Sequence, residues 1–146
     1  MSPPFPTVPV TVDIIIQMPN GKIVVIGRRD PPHGFAIPGG FVEPGESAAT
    51  AAMREAREET GLSVELIEQF HTYSKPGRDH RGPVASIVYI AQADGTPVAG
   101  DDAAQVEVVD VKKFLLSDNP IAFDHREILQ DYYNWRTFFI RPAATR

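Results

Sequence analysis

The stretch Gly40–Leu62, GFVEPGESAATAAMREAREETGL, decides how the rest of the chain is read. Ala48, Ala49, Ala51, Ala52, Met53 and Ala56 are good or tolerable helix formers, Ser47 can cap the first free N–H groups, and Gly61 offers a C-terminal stop. The pattern therefore predicts a helix over 47–60. On that helix Glu55, Glu58 and Glu59 fall at i, i+3 and i+4, so three carboxylates share one face with Cβ atoms about 5–6 Å apart. Like charges at this spacing cost an isolated helix roughly 0.2–0.5 kcal/mol per pair, and a bound cation would reverse the sign. Hard oxygen ligands favour Mg2+ or Mn2+ over Zn2+. Arg54 and Arg57 supply a competing reading, a solvated helix face of alternating charge that needs no metal. The E-x-x-E-E spacing by itself leaves both open.

Before this helix, the β-branched run Thr7–Met18 and the run Lys22–Arg29 read as strands, and Pro19-Asn20-Gly21 between them predicts a hairpin. Asp30–Gly45 carries Pro31, Pro32, Pro38 and Pro44 with Gly34, Gly39, Gly40 and Gly45, and reads as a loop shaped by its backbone. After the helix come strands over Leu62–Tyr73 and Pro83–Ala93, separated by the polar loop Ser74–Gly82. A turn at Asp94-Gly95, a second acidic loop over Ala99–Ala104 and a strand over Gln105–Val111 follow. Ile128, Leu129, Tyr132 and Trp135 recur at helical spacing and predict a last helix from near Asp124 toward Phe138. Several strands with few helices between them imply an α/β fold, a mixed sheet with helices packed on its faces.

Composition bounds the function. At 146 residues and 16.0 kDa, with 42% hydrophobic and 23% charged residues, the expectation is a single globular domain over 1–146. No run approaches the ~18 apolar residues of a membrane span, and the Pro-rich start, 1–9, reads as an extended arm, not a signal peptide. Zero cysteines exclude disulfides, thiolate metal sites and cysteine nucleophiles, and fit a reducing, cytoplasmic setting. A net charge of -5 and a pI near 5.3 argue against nucleic acid and against a membrane surface as partner.

From Gly40 the chain runs five residues to Glu46, seven more, then Arg54-Glu55-Ala56-Arg57-Glu58-Glu59-Thr60-Gly61-Leu62. This resembles the signature of the Nudix hydrolases, G-x5-E-x7-R-E-U-x-E-E-x-G-U with U a bulky aliphatic residue. It departs only at Ala56, which is smaller than usual and bears on how closely the helix packs against the sheet. The resemblance implies a Nudix-type α/β/α sandwich and metal-dependent attack of water on a nucleoside diphosphate linked to another group. It implies that Glu55, Glu58 and Glu59 hold Mg2+ or Mn2+, that the Gly39 carbonyl adds an oxygen ligand, and that Glu46 and Arg54 brace the loop against the helix. Tyr73–Gly82 with the strand Val84–Ile90, Gly100-Asp101-Asp102-Ala103 and Ala122-Phe123-Asp124-His125 are similar to the small ADP-ribose pyrophosphatases. That narrows the implied reaction to ADP-ribose giving AMP and ribose 5-phosphate, places Arg78 and Arg81 among substrate-binding residues, and implies a homodimer. A house-cleaning nucleoside triphosphate pyrophosphatase would use the same signature, and a non-catalytic nucleotide-sensing Nudix domain is a third reading. The ADP-ribose-sensing regulators carry a DNA-binding module, for which the residues after Asp118 are expected to be too few.

Further residues carry weaker signals. Arg28 and Arg29 end a strand beside the Gly-rich loop, where they either meet phosphate or are solvated. Phe35 either stacks on a base or joins the core. His71, His80 and His125 have no ligand partner at a metal-site spacing and read as ordinary loop or helix-end residues. Water attack needs a base, and Asp102, ahead of Asp101, is the candidate outside the signature, with Glu55 competing from the helix.

Overall fold

The computed structural model describes residues 5–100 and 103–146. Among the described residues seven strands form one sheet: β1 (Val10–Gln17), β2 (Ile23–Arg28), β3 (Gly34–Ala36), β4 (Gly39–Phe41), β5 (Glu65–Tyr73), β6 (Ala85–Gln92) and β7 (Ala103–Val109). The described residues also form three helices: α1 (Ala48–Thr60), α2 (Val111–Leu116) and α3 (His125–Phe138). The path is β3-β2-β1-β6-β5, with β4 on β1 and β7 on β2. β1 and β6 run parallel from Val10↔Ala85 to Gln17↔Gln92, and the other pairs are antiparallel, so the sheet is mixed.

β1 and β2 are buried at nearly every position because both faces of the sheet are covered. Val12, Ile14, Ile16 and Val24 face Ala51, Ala52 and Ala56 of α1, while Ile15, Ile23 and Val25 face Phe114 of α2 and Ile128, Leu129 and Tyr132 of α3. The result is an α/β/α sandwich. α1 ends as expected: the Ser47 hydroxyl accepts the Thr50 N–H, and Gly61 at φ 71° closes the last turn by donating to the Arg57 carbonyl.

The expected hairpin is corrected beyond its turn. Among the described residues, β1 and β2 register only at Gln17↔Ile23 and then splay. β4 fills one side of the gap by pairing with β1, from Thr11↔Phe41 to Asp13↔Gly39, and β3 fills the other by pairing with β2. The Asp30–Gly45 segment, expected as loop throughout, thus contains two short strands. The expected strand reaching Val111 stops at Val109, since the Asp110 carboxylate accepts the Lys113 N–H and starts α2. Ala103 and Ala104, expected in the acidic loop, open β7. Of the arm, residues 5–9 carry no strand, and residues 1–4 lie outside the described residues. Among the described residues no helix is long and apolar enough to cross a membrane.

Candidate active site

The splay between β1 and β2 opens a cleft of about 390 Å³, and its walls differ in charge. On one side stand Glu55 and Glu59 of α1 with Gly39 and Gly40 of β4; on the other stand Arg28, Arg29, Arg78 and Arg81, with Phe41 and Phe123 at the mouth and Asp13 and His125 in the floor.

The acidic wall follows from helix geometry. Glu55 and Glu59 continue the buried stripe of Ala51, so they reach the cleft, whereas Glu58 lies on the flank with its side chain 57% exposed. The three carboxylates expected on one face are therefore split, two in the cleft and one at its solvent edge. Arg54 ties Glu55 to Glu58. Its Nη1 donates to Glu55 Oε1 at 2.8 Å and Glu58 Oε2 at 3.2 Å, while Nε and Nη2 form a bidentate pair with Glu46 at 2.7 and 2.8 Å. Nη2 also donates to the Phe41 carbonyl at 3.1 Å, so the brace expected of Glu46 and Arg54 is present. The paired guanidinium holds Glu46 well below the ordinary carboxylate range, at about 2, and the same contacts raise Arg54. Glu59 Oε2 accepts the Gly39 N–H at 3.0 Å. A Cβ on Gly40 would overlap the Glu55 carboxylate where it now stands, so the glycine leaves room for that carboxylate in the cleft.

These oxygens suit a hard divalent cation in kind, and Glu55 and Glu58 already converge on one cationic atom, Arg54 Nη1. Among the described residues no group of three acidic or imidazole side chains is gathered tightly enough to enclose an ion. A metal here would take part of the charge that Arg54 now neutralises.

On the basic wall, Arg28 lies over the Phe123 ring at 4.8 Å and donates to the Pro32 carbonyl at 2.9 Å. Arg81 lies over Phe41 at 4.9 Å and Phe123 at 5.6 Å, held by a two-bond pair with Asp79 at 2.9 and 2.6 Å. That pair lowers Asp79 to about 2 and raises Arg81. Arg29 reaches the Ala103 carbonyl. Arg78 is different: its side chain is 5% exposed and spends Nε and Nη2 on both oxygens of Asp124 at 2.9 and 2.7 Å. It ties the 74–82 loop to the start of α3, and its charge is neutralised there.

The structure puts Phe35 beside the core, the second of its two readings, and corrects the reading of His125. Phe35 packs edge-on against Phe114 at 5.5 Å beside the core and does not line the cleft; the rings that do are Phe41 and Phe123. His125 is not an ordinary helix-end residue but is buried beside Asp13 and Ile37. Asp101 and Asp102 lie outside the described residues. Their neighbours are anchored: the Gly100 N–H donates to the Glu59 carbonyl at 3.0 Å, and Ala103 pairs with Arg28. Asp13 and Phe41 escaped sequence reasoning, and Phe123 entered it only within a motif, with no role of its own. Asp13 alone offered a signal, a charged residue in the middle of an apolar strand.

A model of the NUDIX domain family matches residues 7–132. The ADP-ribose pyrophosphatase of Methanocaldococcus jannaschii is 44% identical over 130 residues, which are 87% of this chain and 74% of that relative. A MutT/nudix family protein from Enterococcus faecalis superposes with a TM-score of 0.77 at 30% identity, over 93% of this chain and 65% of that one. The NUDIX domain of Shewanella oneidensis NrtR complexed with ADP ribose superposes with a TM-score of 0.81 at 24% identity over 91% of each chain, a likeness of fold. With the carboxylate helix, the bracing arginine and the glycine that admits Glu55 all where the signature requires them, the chain belongs to the NUDIX family and is a Nudix hydrolase.

Proposed function

We propose that the chain is a cytoplasmic, metal-dependent pyrophosphatase acting on ADP-ribose or a close nucleoside diphosphate sugar, with AMP and ribose 5-phosphate as products. The observation that carries this reading is the pairing of opposite walls in one cleft: carboxylates on α1 face arginines and aromatic rings at the mouth. A diphosphate needs positive charge along its oxygens, and a base needs a planar apolar surface. Arg28, Arg29 and Arg81 supply the first. Phe41 and Phe123 supply the second. The 44% identity to an ADP-ribose pyrophosphatase supports the same substrate class.

Glu55, Glu58 and Glu59, with the Gly39 carbonyl, would hold Mg2+ or Mn2+, which neutralises phosphate charge and acidifies a water when bound. Water attacks one phosphorus, the bridging P–O bond breaks, and a carboxylate takes the proton. Asp102 is proposed for that carboxylate, with Glu55 the competitor already in the cleft. Asp102→Asn is expected to lower kcat by about 10²–10⁴-fold with the circular dichroism unchanged. Activity within a few-fold of the parent, together with loss in Glu55→Gln, would move the role to Glu55. The substrate is tested by phosphatase-coupled phosphate release over ADP-ribose, NADH, diadenosine polyphosphates and modified nucleoside triphosphates. Preference for a triphosphate would overturn the reading. We further propose that two copies pair, since Phe138, Phe139 and Ile140 stand exposed at the end of α3. Sedimentation at micromolar concentration should give twice the chain mass, and a monomer would refute pairing.

A further inference from the structure

In the cleft floor runs a buried polar chain that the proposed reaction does not use. Ser86 of β6 donates its hydroxyl to Asp13 Oδ2 of β1, Asp13 Oδ1 lies 3.5 Å from His125 Nε2, and His125 Nδ1 accepts the Ile37 N–H at 3.0 Å. All three side chains are buried. The bond direction at Nδ1 fixes the tautomer: a ring nitrogen that accepts an N–H carries no proton, so the proton of the neutral ring sits on Nε2, the nitrogen on the Asp13 side. Burial opposes a second proton on the ring, which keeps the imidazole neutral and Nδ1 an acceptor. Nδ1, engaged by the Ile37 N–H, is not available to substrate.

Its partner explains its place. Ile37 opens a three-residue segment fixed at every step: the Ile37 N–H by His125, the Pro38 carbonyl by the Ile14 N–H at 2.8 Å, and the Gly39 N–H by Glu59 Oε2 at 3.0 Å. A buried N–H left without an acceptor costs on the order of 1–3 kcal/mol, so the bond to His125 holds the segment firmly. The fold delivers a histidine from far along the chain because Phe35 exchanges hydrogen bonds with Pro120 and Ala122, laying the start of α3 beside β3.

We infer that His125 is a positioning residue of this hydrolase: by accepting the Ile37 N–H it sets the Gly39 backbone and, through it, the Glu59 carboxylate at the proposed cation site. The inference rests on the carboxylate wall being the metal-holding side of the cleft. Two near-isosteric variants separate the ring's two nitrogens. In His125→Asn the amide oxygen takes the place of Nδ1 and keeps an acceptor for Ile37. In His125→Gln the amide reaches the place of Nε2, keeps a donor for Asp13 and leaves Ile37 unpaired.

The test is calorimetric titration of Mn2+ into the full chain without substrate, alongside melting curves. His125→Gln is expected to weaken Mn2+ binding by about 10–100-fold, the usual effect of losing an outer partner of a metal site. His125→Asn should restore most of the affinity although both variants melt lower than the parent. Equal Mn2+ affinity in all three proteins, or losses that follow the melting temperature alone, would reduce His125 to a core residue. Should the Gln variant not fold, His125→Ala with added imidazole replaces it: recovery of Mn2+ affinity supports the inference and no response overturns it. A parent chain that binds no Mn2+ would overturn the metal reading itself, and the role of His125 with it.

Discussion

Gly40 shows how single residues set the site, because the volume a Cβ would occupy is taken by the Glu55 carboxylate. Gly40→Ala should push that carboxylate aside, and displacement of a reacting group by about 1 Å can cost about 10²-fold in rate. Steady-state kinetics on ADP-ribose should show kcat lowered to that extent with the melting temperature little changed; parental kcat would mean that Glu55 has freedom to move. Asp79 tests the basic wall through pH. Its pKa is depressed by Arg81 from 3.8 to about 2, so the pair stabilises the fold fully above about pH 4 and loses that contribution as pH falls toward 2. Arg81 is partly exposed, and the pair is worth about 1 kcal/mol after solvent screening, or ~2–4 °C in melting temperature. Asp79→Asn should melt lower than the parent by that margin at pH 7, and the gap should close between pH 4 and 2. A gap independent of pH would assign the loss to packing.

At the scale of elements, α1 was legible to the residue because its cap, its small-residue stripe and its stop are local signals. Ala56 is fully buried with Ala51 and Ala52 against β1 and β2, so the small side chain where the family signature has a bulky one reflects close packing of the helix on the sheet. Ala56→Leu should overpack this contact and cost about 1–3 kcal/mol, read as a lower denaturation midpoint at constant slope. An unchanged midpoint would mean that the layer has slack. Other elements were less legible for reasons that lie outside their own residues. The run up to Val111 continues the strand pattern, and only the Asp110 cap divides it. The Pro19-Asn20-Gly21 turn does join β1 to β2, yet nothing in either strand says they part after one pair, since that depends on β3 and β4 entering between them.

For the whole molecule, the site depends on contacts between distant segments, and these are what the sequence hides. The acidic wall is contained in one helix and could be read from spacing. The basic wall and floor need the 74–82 loop, the start of α3 and the β3–β4 segment to meet, and no periodicity within any of them encodes that meeting. Arg78 illustrates the point: nothing in its polar loop announces that Asp124, 46 positions later, pairs with it. A nearly buried bidentate pair of this kind makes a definite prediction, because removing one partner strands the other. Arg78→Leu leaves the Asp124 carboxylate unpaired and should cost roughly 3–5 kcal/mol, lowering the melting temperature by ~2–4 °C per kcal/mol. Asp124→Leu should cost a similar amount by stranding the guanidinium. The double variant removes both desolvated charges and should be more stable than the sum of the single losses implies, with a coupling above about 1 kcal/mol in a thermal double-mutant cycle. Losses that add to within about 0.5 kcal/mol would show that the pair does not tie the loop to α3. The cleft walls would then be held by packing around Phe123 and His125 instead, whose rings lie 5.3 Å apart.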